Sequence, residues 1–277
     1  MTNVVVWKVS GLEEIRVAAD SRVSRGNSDV KRVTDQAAKI FPLKLQVHGN
    51  SDVSITAAPV LTVNLGFAYA GAVVPALMTY AAATQMLGNL YPEKPRLPRL
   101  SDAARLICHL SQQYTRDASL AYQTNSPPFC EFVIFGHDAA ALDDPGAANL
   151  AYWIHPQLDP ATGMFHQVMK QFDLDKGEVV VIGDDSEALQ KEIAALPRGT
   201  SRDGLEPKVA LENRMLKQGH ETVGGTLQFG LLTKNEFRLY GALYDSMGNF
   251  QQNWLGFDCQ NEISQIVGMP VCIPALP

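Results

Sequence analysis

The sequence predicts an α+β protein of antiparallel sheets with helices stacked on their outer faces. Three observations predict it. Runs rich in Val and Ile, of strand length, follow one another as hairpins, and two helix-length segments stand together between two such groups. Strands and helices also arrive in blocks rather than in strict alternation, which argues against a doubly wound parallel sheet. Layers in the order helix, sheet, sheet, helix accommodate this pattern, as do other α+β arrangements.

The first strands are expected at residues 3–9 and 14–19, a hairpin across Gly11. After a polar connection, "KIFPLKLQVHG" puts Phe41, Leu43, Leu45 and Val47 on one face, and "VLTVNLGFAYAG" is a further strand ending at Gly71. Helices are expected over 72–90 and 102–122, the second N-capped by Ser101, with the Pro-rich "YPEKPRLPRL" as a stiff connector. Strand patterns return in "CEFVIFGHD", "NLAYWIHP", "MFHQVMKQF" and "EVVVIGD". Helices over 186–196 and 205–218 follow, the latter stopping at Gly219, and then the strands "VGGTLQFGLLT" and "EFRLYGALYD". Residues 246–277 are expected to be an irregular C-terminal extension of a domain spanning 1–245.

The 277 residues, 46% apolar and 19% charged, have the balance of a globular chain long enough to bury a substantial core. A net charge of -6 without clustered Lys and Arg argues against a nucleic-acid partner. The four widely spaced cysteines, Cys108, Cys130, Cys259 and Cys272, form no CxxC pair and are expected to be reduced and mostly buried. No export signal is visible, which points to the cytoplasm. The uncharged stretch from 66 to 87 has the length of a membrane span, but it is Ala- and Gly-rich, is interrupted by Pro75, and carries Thr79, Tyr80, Thr84 and Gln85, so it is expected to be core and the chain to make no membrane contact. His137 and Asp138, His155 and His166 lack metal-ligand spacing, "FDLDKGE" lacks the oxygen ligands of a calcium loop, and no phosphate-binding glycine motif occurs. No metal or other cofactor is expected.

Five motifs in order, behind a threonine at position 2, carry a resemblance: "VAADSRVSRGN", "KIFPL", "AYAG" leading into an Ala-rich helix, "FVIFGHD" and "VVVIGDDSEA". Together they resemble the proteasome β-subunit family of N-terminal-nucleophile hydrolases, in particular its bacterial homologues, from Thr2 to about residue 244. The resemblance implies a four-layer αββα sandwich of two antiparallel sheets flanked by helices. It also implies that Thr2, once Met1 is removed, is the nucleophile.

The chemistry is coherent. A threonine hydroxyl needs a nearby base, and a free α-amine, with a reference pKa of about 7.7–8.0, supplies one on the same residue. By resemblance, Asp20 and Lys39 are the buried pair beside it. A lysine cation favours the proton-poor threonine oxygen, and the aspartate holds the lysine. Lys31 is the alternative if the polar connection is aligned differently, and an ordinary ion pair is the plain structural reading of the two charges. Gly71, between strand and helix, can offer its N–H to an oxyanion or can serve only as the turn glycine. Arg22 supports the site structurally.

Two places depart from the family pattern. Asp184 stands where the family has a serine beside the N-terminal amine, while Ser186 matches a second serine. An aspartate there either holds the amine as ammonium or orients it, and Asp184 with Glu187 also has the spacing of a capping box. In "GHETVGG" the family's aspartate falls on His220 and its serine on Val223, which cannot hydrogen-bond. His220, Glu221 or Thr222 are the candidate substitutes, and a lone histidine after a helix is commonly a capping or surface residue.

The expected function is a self-assembling threonine peptidase acting on peptides or unfolded protein. By resemblance, it forms stacked rings of identical subunits and can serve an ATP-dependent unfoldase. The alternatives are a ring protein of this fold that has lost peptidase activity and an N-terminal-nucleophile amidohydrolase acting on a small amide.

Overall fold

The computed structural model describes residues 2–25, 31–49, 58–92, 98–122, 128–138, 147–197, 204–217, 222–246, 249–255, 257–259, 263–267 and 269. His220, Glu221 and Cys272, and part of the Pro-rich connector, lie outside them. The first half contributes β1 (Asn3–Lys8), β2 (Ile15–Ala19), β3 (Val23–Arg25), β4 (Lys31–Thr34), β5 (Ile40–Val47), β6 (Leu61–Gly71), α1 (Val73–Leu87) and α2 (Leu100–Tyr122). The second half adds β7 (Cys130–Asp138), β8 (Ala148–Leu158), β9 (Phe165–Asp173), β10 (Val180–Gly183), α3 (Ser186–Ala195), α4 (Glu206–Leu216), β11 (Gln228–Leu232) and β12 (Phe237–Tyr240). Beyond these come β13 (Ala242–Ser246), β14 (Asn249–Trp254), β15 (Phe257–Asp258) and the short α5 (Ser264–Val267).

Two antiparallel five-stranded sheets form the body, in the orders β10-β1-β2-β11-β12 and β5-β6-β7-β8-β9. Three apolar layers hold them. Leu43, Leu45 and Val47 of β5, with Phe67, Phe132 and Ile134, pack under Ala76 and Ala83 of α1 and Ala104 and Ile107 of α2. Val4, Val6 and Val17 of the first sheet meet Ala68, Val133 and Phe135 of the second between the sheets. Val5, Trp7, Ala18 and Phe229 pack outward against Leu189 of α3 and Leu211 of α4. The fold is the four-layer αββα sandwich, because successive residues of β1 alternate between the inter-sheet core and the helix layer.

The stretch 66–87 divides into the end of β6 and α1, and among the described residues no helix is long and apolar enough to cross a membrane. Cys130 and Cys259 are buried and Cys108 is half-buried, all three as free thiols.

Three local expectations are corrected. Ser101 lies inside α2 rather than capping it. The first turn is held by Asp102 Oδ2, which accepts from Arg99 N at 3.0 Å, and by Asp138 Oδ1, which accepts from Leu100 N at 2.8 Å. The polar connection after β2 contains the β3–β4 pair, and the tail contains the three-stranded sheet β13-β14-β15. The run "EFRLYGALYD" breaks at Gly241, where β12 ends in the main sheet and β13 begins the small one.

Candidate active site

Three chain segments bring the site together at the start of β1. Asp20 leaves the end of β2 and Lys39 enters β5, so hairpin pairing of β1 with β2 and stacking of the two sheets place both beside Thr2. All three are buried, with exposures of 3% for Thr2, 0% for Asp20 and 1% for Lys39.

Lys39 Nζ hydrogen-bonds to Thr2 Oγ1 and to the carbonyl of Arg22, and lies 3.6 Å from Asp20 Oδ2. An ammonium has three hydrogens, and three oxygens face it. Asp20 is equally well used. Its Oδ1 accepts from Asn3 N at 2.9 Å, and its Oδ2 from Arg22 N at 3.1 Å and Gly224 N at 3.2 Å. Burial pushes Lys39 below the ordinary lysine value, with Asp20 opposing the shift. Burial likewise pushes the Asp20 carboxyl up, against Lys39 and the three backbone donors. Held this way, the lysine can stabilise a developing alkoxide on Thr2.

Arg22 acts through its carbonyl on Lys39, while its guanidinium pairs with Asp35, Nε to Oδ1 at 2.7 Å. That pairing holds the Asp35 carboxyl below its ordinary value. Lys31 is exposed on β4, whereas Lys39 is buried.

Gly71 ends β6 opposite Cys130 at a φ of +105°, and a Cβ there would lie 2.5 Å from the Phe129 carbonyl, so the strand-to-helix turn requires glycine. Its neighbour Ala70 lies against Gly183, where an added Cβ would stand 3.1 Å from Ala70 Cβ and 1.7 Å from the Thr2 carbonyl oxygen. Gly71 is thus one residue from the wall that Thr2 packs against.

Next to Gly183, Asp184 N donates to the same Thr2 carbonyl at 2.9 Å. The Asp184 carboxylate accepts from Thr222 Oγ1. The capping box expected of Asp184 does not form. The residue flanking α3 is Asp185, at a φ of 47°, with no side-chain cap. Ser186 opens α3, and among the described residues no hydrogen bond joins its hydroxyl to Thr2. Val223 is buried against the helix layer. His220 lies outside the described residues, and Thr222 is the residue of its segment that reaches the site.

Two site residues were missed from the sequence. Gln228 on β11 accepts from Lys39 N at 2.9 Å and donates to the carbonyls of Asp20 at 3.0 Å and Ala37 at 2.9 Å, stitching together the approaches of both charged residues. Arg214 of α4 donates to Asn3 Oδ1. A glutamine in the otherwise apolar "LQFGLL" was a signal for the first. Among the described residues no group of three or more His, Cys, Asp or Glu is arranged to hold a metal ion.

No protein-family model matches the chain, and no curated protein matches it. Solved structures do. The Anbu complex from Pseudomonas aeruginosa, solved as a helical assembly, superposes with a TM-score of 0.53 at 16% identity, covering 84% of this chain and 81% of that one. This chain has an Anbu-like fold. Anbu, the ancestral β-subunit, from Yersinia bercovieri gives 0.52 at 13% identity over 86% of each chain. The Gly-1 mutant of Anbu from Hyphomicrobium sp. strain MC1 gives 0.53 at 11% identity over 96% of this chain and 91% of that one. Likeness to Anbu at such identities is a likeness of fold, in line with the proteasome-like sandwich that the sequence motifs imply.

Proposed function

We infer that the chain is a self-assembling, proteasome-like threonine peptidase whose nucleophile is Thr2 after removal of Met1. The observation that carries the reading is the hydrogen bond from the buried ammonium of Lys39 to Thr2 Oγ1. Thr2 Oγ1 attacks a peptide carbonyl as its proton passes to the freed α-amine of the same residue, and Lys39 stabilises the oxygen as it loses that proton. The Gly71 N–H faces the oxyanion. The proton then passes to the departing amine as the C–N bond breaks, leaving an ester on Thr2. Water, deprotonated by the same α-amine, attacks the ester and releases the acid. Asp20 keeps Lys39 charged and oriented, and Asp184 orients the amine.

The substrates are peptides or unfolded protein, which an ATP-dependent unfoldase can deliver. Self-assembly fits the exposed apolar side chains Val74, Leu77, Met78 and Met86 along α1. The helical assembly of the Pseudomonas aeruginosa Anbu complex makes a helix an alternative to stacked rings, and electron microscopy of the purified protein separates the two. A second reading, an assembly without peptidase activity, is favoured by one observation: Val223 turns into the apolar helix layer and gives the amine no hydrogen bond.

Intact mass followed by reaction with an electrophile selective for N-terminal threonine tests the proposal. The peptidase reading expects loss of Met1 and an adduct on Thr2 that Thr2→Ala does not form. Retained Met1 with no adduct favours the silent assembly.

A further inference from the structure

Arg214 of α4 is the bulkiest side chain among the fully buried residues described, 1% exposed, and the hydrolytic chemistry above makes no use of it. It reaches through the outer layer to the start of β1. Its Nη1 donates to Asn3 Oδ1 at 3.3 Å and to the carbonyls of Asp184 and Asp185, each at 3.1 Å. Nη2 lies 3.5 Å from Glu192 Oε1 and 3.7 Å from Asp185 Oδ2, and Nε has no hydrogen-bond partner. A buried cation is costly to desolvate, and a well-packed apolar side chain at such a place is often as stable. Stability alone is therefore a weak reason for arginine here. Direction is a better one, because a planar guanidinium fixes where the oxygens around it lie.

Those oxygens belong to the residues that flank Thr2. Asn3 follows Thr2, its backbone N–H is on Asp20, and its side-chain Nδ2 donates to the Asp184 carbonyl at 2.6 Å. Asp184 N holds the Thr2 carbonyl. Asp185 sits at positive φ without being glycine, a conformation that persists where the surroundings enforce it. Arg214 grips the carbonyls on both residues of this turn.

We propose that Arg214 is a positioning residue of the Thr2 site, holding Asn3 and the 184–185 turn so that the Asp184 carboxylate keeps a fixed place relative to the nitrogen of Thr2. This rests on the threonine-nucleophile reading. The charged groups facing Arg214 are Asp185 and Glu192, the latter shared with Lys217 at 3.3 Å. Thr2 is hydrogen-bonded to Lys39, which pairs with Asp20, and to Asp184 through the backbone N–H of that residue, whose carboxylate is held by Thr222. Moving a carboxylate relative to an amine changes the pH at which the amine gives up its proton.

The test uses the full chain beginning at Thr2. Acetylation of its α-amine by acetic anhydride across pH gives the amine's titration midpoint, and capture by a peptide boronate gives the reactivity of its hydroxyl. Arg214→Lys, which keeps the charge and loses the fork, and Asn3→Ala are each expected to move the midpoint by at least about half a unit. Each is also expected to slow capture by about tenfold, with the double variant no worse than the more affected single one. Midpoints and capture rates equal to those of the parent chain, whatever happens to the melting temperature, overturn the proposal. If Arg214→Lys does not fold, Asn3→Ala decides alone. A parent chain whose amine titrates but whose hydroxyl is never captured sinks the peptidase reading, and the midpoints still judge Arg214.

Discussion

Lys39 and Asp20 form an ion pair, 3.6 Å apart, in which both side chains are buried. Each depends on the other. The lysine's remaining hydrogens go to Thr2 and Arg22, and the aspartate's remaining lone pairs to three backbone amides, so removing one partner strands a charge in the core.

Lys39→Ala is accordingly expected to destabilise the chain by about 3–5 kcal/mol in urea unfolding, and to abolish capture of Thr2 by electrophiles. The double variant Asp20→Asn with Lys39→Met is expected to recover part of that stability, since the asparagine amide nitrogen replaces one oxygen that accepts from the backbone, and none of the reactivity. A double variant as unstable as Lys39→Ala would show that the stranded carboxylate is not the cause.

Gly183 faces the Thr2 carbonyl, and a methyl group there would stand 1.7 Å from that oxygen, at a φ of +99°. Gly183→Ala is expected to cost more than about 3 kcal/mol, since the strand must shift as well as adopt a strained backbone. Gly177→Ala, at a φ of +76° with open space around it, carries only the backbone penalty of about 1–2 kcal/mol. Thermal melts of the two variants compare them directly.

Asp35 provides a pH-dependent contribution. Its hydrogen bond and ion pair with Arg22 lower the carboxyl below its ordinary value of 3.8, so the unfolded chain binds the proton more readily. The stabilisation is complete above that value and is lost as pH falls through the folded-state value beneath it. Asp35→Asn is expected to cost about 1 kcal/mol or less at pH 7, as suits a partly exposed pair. The difference from the parent should close in strong acid, as read from urea midpoints at both pH values.

Burial pushes the Cys130 thiol up to about 12. Iodoacetamide at pH 8 should leave Cys130 unlabelled in the folded protein and label it after unfolding, as peptide mapping would show. Labelling of the folded chain at the same rate as in urea would contradict the burial of β7.

The layers were legible where one chemistry repeats along a short segment. Alternation in β5 placed Leu43, Leu45 and Val47 on the helix-facing side, and β1 and β2 announced their hairpin through Val and Ile. Motif order singled out Thr2, Asp20 and Lys39, which the structure brings together. What escaped depends on partners distant in sequence. Gln228 meets Lys39 across 189 positions and Arg214 meets Asn3 across 211, distances over which no periodicity speaks. The cap of α2 comes partly from Asp138 on another element, so Ser101 only had the right composition. The pair β3–β4 is polar and mostly exposed, and has no buried face to reveal it.

The interior place of β1 in its sheet ties Thr2 to distant parts of the chain. Its two neighbours are β2, a few residues on, and β10, which ends at Gly183, while β2 must itself await β11 at Gln228–Leu232. Gly183, which lies against the Thr2 carbonyl, and Gln228, which holds Lys39, stand far along the chain from Thr2. The surroundings of Thr2 are therefore built from contacts of high sequence separation, and a chain cut before Gln228 carries the Thr2 hydroxyl without the residues that enclose it.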